Sequence, residues 1–143
     1  MRRINQAGID LIKHFEGMML TAYKCPAGIW TIGIGHTGPD VSEGLTITEP
    51  RAIDLLHRDL NDSETAVMQQ ITVPLNDNQF AALVSFTFNC GAGALNKSTL
   101  RKKLNAGEYS AVPAELMKWV RGGGKVLSGL VKRRTAEAEL WNL

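Results

Sequence analysis

The stretch EGMMLTAYKCPAGIWTIGIGHTG, residues 16–38, decides how this chain is read. It opens on Glu16 and Gly17, where a helical pattern stops, and from Leu20 to His36 it carries β-favouring residues interrupted by Pro26, Ala27 and Gly28. Two such runs around a Pro/Gly break read as a hairpin, with the second strand over Trp30 to Ile34. Gly33 and Gly35 flank Ile34, and glycine inside a strand marks a bulge or the close approach of another group to the backbone. This points to the wall of a cleft.

Upstream, Ile4, Gly8, Leu11, Ile12 and Phe15 recur at helical spacing, with Asn5 as N-cap and Gly17 as terminator. Glu16 therefore stands at a helix end. Downstream, a loop with Gly38, Pro39 and Gly44 leads to Thr48, Glu49 and Pro50, whose N-cap chemistry opens a long helix reaching roughly to Gln70. The rest is helical by pattern. Asn76 caps a segment to about Cys90, Ser98 one to Asn105, Ser110 one to Val120, and Ser128 one to about Leu140, separated by glycines at 91, 93, 107 and 122 to 124. The expected fold class is α+β. A small β-hairpin lobe (approximately 18–48) and a larger helical lobe (approximately 1–17 and 70–143) are joined by a long helix (approximately 49–70), with the cleft between the lobes.

A chain of 143 residues with 44% apolar content suits one domain with its own core. Its apolar runs are broken well short of the ~20 residues a membrane span needs. The amino terminus starts with Arg2 and Arg3 as a signal peptide might, but Asn5, Gln6, Asp10 and Lys13 interrupt any secretory apolar region. Retention in the cytoplasm and no stable membrane insertion are expected. Cys25 and Cys90 form no CxxC pair and have no metal-ligand spacing with the three His residues, so no structural zinc, disulfide framework or cofactor is expected. The net charge of +2 gathers at Arg101 to Lys103 and Lys132 to Arg134. Such runs suit an anionic polymer, and equally a solvated helix face.

Glycoside hydrolysis needs a proton donor at the leaving oxygen and usually a second group that delivers water or stabilises the oxocarbenium-like transition state. Glu16, following Phe15 and facing an aromatic hairpin, is the candidate donor, although position alone also fits a solvated helix-terminal glutamate. The series Glu16, Gly17, Leu20, Tyr23, Pro26, Gly28, Trp30, Thr31 and Ile32 through Gly38 resembles the signature of the phage-type lysozymes, glycoside hydrolase family 24. FTFNCGAGALNKSTL at 86–100 and VLSGLVKRRTAEAELW at 126–141 resemble later segments of that family, in the same order.

This resemblance implies a lysozyme-like fold and an endolysin, a muramidase that cuts the β-1,4 bond between N-acetylmuramic acid and N-acetylglucosamine in peptidoglycan. It makes Glu16 the acid and Thr31 the holder of the catalytic water, a role its donating and accepting hydroxyl can fill. Cys25 departs from the pattern, because the best-known members carry aspartate there. A thiol with a pKa near ~8.5 stays mostly protonated unless a positive charge or dipole lowers it. Cys25 is thus a base or nucleophile, an orienter of water, or a bystander beside Glu16 and Thr31.

The resemblance also gives His36 a role in shaping the cleft, and places Thr37, Phe88 and Asn89 against the sugar chain, whereas Phe86 reads as core. Because successive helical positions rotate by about 100°, Lys132, Arg133 and Arg134 cannot all face one way. At least two are read as solvent-facing, and Arg134 as pairing with Glu16 or Asp10. No metal and no nucleic acid enter this reading. The implied partners are peptidoglycan strands and, for a monomer made in the host cytoplasm, a holin that opens the way to the wall. The rivals are a lytic transglycosylase, which leaves 1,6-anhydro ends, and a peptidoglycan-binding module with impaired chemistry.

Overall fold

The computed structural model describes residues 2–143. Residue 1, at the edge of the expected helical lobe, lies outside the described residues. In chain order the elements are α1 (Gln6–Glu16), β1 (Met19–Lys24), β2 (Trp30–Gly33), β3 (His36–Thr37), α2 (Glu49–Gln70), α3 (Asp77–Cys90), α4 (Ala92–Lys97), α5 (Thr99–Asn105), a 3-10 turn (Tyr109–Ala111), α6 (Val112–Leu116), β4 (Arg121–Gly122), β5 (Lys125–Val126) and α7 (Ser128–Asn142). The chain divides into two compact units, one of Ile12–Asn61 and one of the residues up to Leu11 together with Asp62–Leu143. No helix is long and apolar enough to cross a membrane among the described residues.

In the unit Ile12–Asn61, β1, β2 and β3 form an antiparallel sheet in that order. Tyr23 and Thr37 lie opposite Thr31 from either side. The β1–β2 register shifts between Met19 and Tyr23, and Thr21 makes an isolated bridge to Thr46. Ile32, Val41 and Leu55 are buried together, with Ala22, Trp30, Leu45 and Ile47 packed on them. β2 is buried on both faces, with Thr31, Ile32 and Gly33 all covered, and Ile34 in the following turn is buried too. Each such fully buried aliphatic side chain contributes roughly 1.5–3 kcal/mol relative to exposure. The end of α1 is set by Gly17, whose φ of +75° a β-carbon would oppose and whose N–H donates to Lys13 O at 2.9 Å.

The other unit is built around α3, where every residue from Phe80 to Thr87 is buried. A helix apolar all round belongs at the centre of a bundle, and α7 and α6 pack with it, α3 against α7 and α6 against α7. Asn76 and Gln79 form a reciprocal capping box at its start. The expected caps Asn5 and Ser98 accept from Gly8 N at 3.0 Å and Arg101 N at 3.0 Å, and Thr48 accepts from Arg51 N at 3.3 Å.

Three expectations are corrected here. Ser110 caps no helix: it lies inside the 3-10 turn that runs into α6, which ends at Leu116. Ser128 is the first residue of α7, and the cap position is Leu127. The carboxyl half is not entirely helical, because Arg121–Gly122 and Lys125–Val126 pair across Gly123 and Gly124. Those two glycines have φ of +58° and +80°, the backbone that a tight two-residue hairpin turn demands.

Candidate functional site

The residues expected to carry chemistry in the amino-terminal stretch all lie in the unit Ile12–Asn61. The β1–β2 connection begins at Cys25, whose N–H donates to Ile29 O at 3.0 Å and whose C=O accepts from Gly28 N at 2.8 Å. This tight curl turns backbone N–H groups toward the Cys25 sulfur. The N–H of Ile29 holds its pKa below the usual thiol range, burial opposes this in part, and the N–H of Ala27 and the Thr31 hydroxyl add to the lowering. Thr31 itself is buried on β2 and donates its hydroxyl to Ile29 O at 3.0 Å. The Cys25 sulfur and the Thr31 hydroxyl therefore converge beside the β1–β2 turn.

Glu16 closes α1, half-buried. Its carboxyl lies against the turn Ile34–Gly35 that joins β2 to β3: a β-carbon at Gly35 would stand 3.0 Å from Glu16 Oε1. One short stretch, Thr31 to Gly35, thus touches Cys25 at one end and Glu16 at the other.

His36 follows directly, its side chain 12% exposed. Nδ1 pairs with Asp59 on α2 at 2.8 Å and Nε2 with Asp40 at 3.0 Å. Burial pulls the imidazole pKa down, but the hydrogen bonds and charges of Asp59 and Asp40 outweigh it, and the net shift is upward. Asp40 moves the other way, held low chiefly by its hydrogen bond to His36. Sequence alone did not reveal Asp59, whose pairing across 23 residues leaves no local pattern, nor did it single out Asp40, four residues from His36. Thr37, next along β3, is exposed.

In the second unit Phe88 is half-buried and Asn89 exposed at the end of α3, while Phe86 is core as expected. Asn89 edges a pocket of about 340 Å³ with Cys90, Lys118, Trp119, Arg121 and Arg134. Burial raises the Cys90 thiol pKa, and the Arg134 guanidinium only partly opposes this.

Arg134 is placed differently from its expected pairing with Glu16 or Asp10. It is fully buried, its Nη1 paired with Glu137 Oε1, its Nε donating to Trp119 O at 3.0 Å and its Nη2 to Asn89 Oδ1 and to Cys90 Sγ. Its guanidinium also lies 5.2 Å from the Phe86 ring centroid. Arg133 is buried too, so only Lys132 of the three is solvent-facing, against the expectation of at least two. The reason is Glu137, whose other oxygen accepts from Ser85 Oγ at 2.6 Å and sits 3.5 Å from Arg133 Nε. A buried carboxylate recruits cations from its own helix at three and four residues' spacing. Among the described residues, no group of three His, Cys, Asp or Glu is placed to hold a metal ion.

The family profile described as "Phage lysozyme" matches residues 13–137. The chain is 45% identical over 142 residues to an endolysin of Acyrthosiphon pisum secondary endosymbiont phage 1, covering 96% of this chain and 97% of that protein. An endolysin of Bacillus phage B103 is 46% identical over 140 residues, and the chain spans about half, 53%, of that longer protein. Among solved structures, a crystal structure of a P22 lysozyme mutant superposes with a TM-score of 0.93 at 38% identity, covering 100% of both chains. The profile covers most of the chain and the fold agrees with these relatives, and the chain belongs to the phage lysozyme family of glycoside hydrolases.

Proposed function

We propose that this endolysin hydrolyses the β-1,4 bond between N-acetylmuramic acid and N-acetylglucosamine, with Glu16 as proton donor and Cys25 and Thr31 holding the attacking water. The observation that carries this reading is the single stretch Thr31 to Gly35, which touches the Cys25 sulfur at one end and the Glu16 carboxyl at the other. An acid and a pair of water-binding groups tied to one rigid β-hairpin satisfy the positional demand of acid-assisted attack by water. Cys25 takes the place of a carboxylate. Its lowered pKa favours the thiolate, the form that can accept a water proton, and Thr31 orients the same water through its hydroxyl.

Thr37, Phe88 and Asn89 contact the glycan strand in this reading, two by hydrogen bonds and Phe88 by its apolar face. His36 shapes the site from behind, since both of its ring nitrogens are committed to carboxylates. Arg134 donates to Asn89 Oδ1 and lines the same pocket, which orients that amide toward the strand. The enzyme acts as a monomer, is made in the host cytoplasm, and reaches the wall once a holin has opened the membrane.

Product analysis tests the reaction. Digestion of purified peptidoglycan should create reducing N-acetylmuramic acid ends; 1,6-anhydro ends would show that the sugar's own hydroxyl, and not water, displaces the leaving group.

A further inference from the structure

Of the glycines with positive φ, Gly35 alone has its missing β-carbon directed at a carboxyl expected to do chemistry. A β-carbon there would lie 3.0 Å from Glu16 Oε1 and 3.7 Å from Glu16 Cδ, whereas at Gly33 it would meet Ala52 and Ile47, and at Gly38 it would meet Asp40. At Gly17, Gly28 and Gly44 it would meet nothing within 4 Å. The two flanking residues of Gly35 are both immobilised. Ile34 is 1% exposed in the core, and His36 is gripped at both ring nitrogens, by Asp59 from α2 and by Asp40 from the loop after β3.

We propose that Gly35 is a positioning residue for the acid: the space where its side chain would begin is the seat of the Glu16 carboxyl, and the clamped His36 holds that seat in place. The inference rests on the reading of Glu16 as proton donor. Its physical basis is the steep dependence of proton transfer on geometry, where a misplacement of about 1 Å costs on the order of 10²-fold in rate. A methyl group at Gly35 stands 3.0 Å from Glu16 Oε1, so the carboxyl, the far end of a flexible side chain, must give by a few tenths of an ångström. The fold then survives and the acid is displaced.

A glycine with the same backbone but open surroundings separates this from strain. Gly35 and Gly44 have φ of +74° and +82°, so alanine at either is strained alike, and only Gly35→Ala meets Glu16. Hydrolysis of soluble peptidoglycan oligomers and thermal melting are measured for wild type, Gly35→Ala, Gly44→Ala and Glu16→Gln. Both alanine variants should lose similar melting temperature. Gly35→Ala should lose about tenfold or more in kcat with KM within about twofold, and Gly44→Ala should keep the wild-type kcat. Equal kcat in the two alanine variants overturns the inference. An active Glu16→Gln overturns the reading beneath it instead. Should Gly35→Ala melt below the assay temperature, Asp40→Asn decides, since it loosens the His36 clamp without adding an atom near Glu16. A fall in kcat at constant KM supports the positioning role, and an unchanged kcat overturns it.

Discussion

His36 Nδ1 lies 2.8 Å from Asp59 Oδ2, tying the hairpin turn that faces Glu16 to α2. With Asp40 on the opposite nitrogen, the imidazole links two carboxyl groups. Its pKa is raised above the usual 6.5, and that of Asp40 is lowered below 3.8. A raised histidine contributes stability that is complete below its unfolded value and lost as pH climbs through its folded value. A lowered carboxylate contributes above its unfolded value and loses that contribution as pH falls through its folded value.

The clamp is therefore complete between pH 3.8 and 6.5 and fades on either side. Thermal melting against pH should show His36→Asn losing most, relative to wild type, inside that window, with the difference shrinking above it. A difference independent of pH contradicts the ionised clamp.

Glu137 neutralises two buried guanidinium groups and accepts from Ser85. Glu137→Gln keeps the shape but removes the negative charge beside the two guanidinium groups, and removal of one partner from a buried ion pair costs about 3–5 kcal/mol. Urea unfolding should show a midpoint reduced accordingly with little change in slope. A loss below about 1 kcal/mol, the level of an exposed pair, contradicts the buried network.

The two thiols are pushed in opposite directions. Backbone N–H groups led by that of Ile29 make Cys25 the more acidic, and burial makes Cys90 the less. Since the thiolate is the reactive form, alkylation by iodoacetamide followed by peptide mass mapping should label Cys25 first and at lower pH. Preferential labelling of Cys90 contradicts the arrangement around the β1–β2 turn.

Removing the Asn76 side chain tests the start of α3, the most buried helix. Asn76→Ala removes the acceptor for the Gln79 N–H while leaving the Asn76 backbone N–H to donate to the Gln79 side chain, and should cost roughly 1 kcal/mol. Because the cap lies in the unit that does not hold Glu16, wall lysis at low temperature should be unchanged.

What the sequence made legible was local. Asn5, Thr48, Asn76 and Ser98 announced helix starts because a short polar side chain and the backbone it caps are neighbours in the chain. The β-hairpin and Glu16 at a helix end were legible for the same reason. What stayed hidden depends on distance. Arg133 looks like a surface charge and Arg134 like a partner for Glu16 or Asp10, since such residues are rarely buried unless paired, and the signal to the contrary was Glu137 on the same helix. Asp59, 23 residues away, gave no sign of meeting His36. The β4–β5 hairpin carried its mark in Gly123 and Gly124, a pair suited to a two-residue turn, but strands as short as Arg121–Gly122 and Lys125–Val126 show no alternation to read. The helix α4 was masked by Gly91 and Gly93, which read as breakers.

The central claim is that Glu16 supplies the proton, and Glu16→Gln tests it most directly by keeping the side-chain shape while removing the acid. Lysis of purified peptidoglycan is followed for wild type and Glu16→Gln, with melting curves showing that both are folded. The account predicts a loss of about 10²–10⁴-fold, the range for a general acid, at an unchanged melting temperature. Lysis by folded Glu16→Gln within a few-fold of wild type would contradict it.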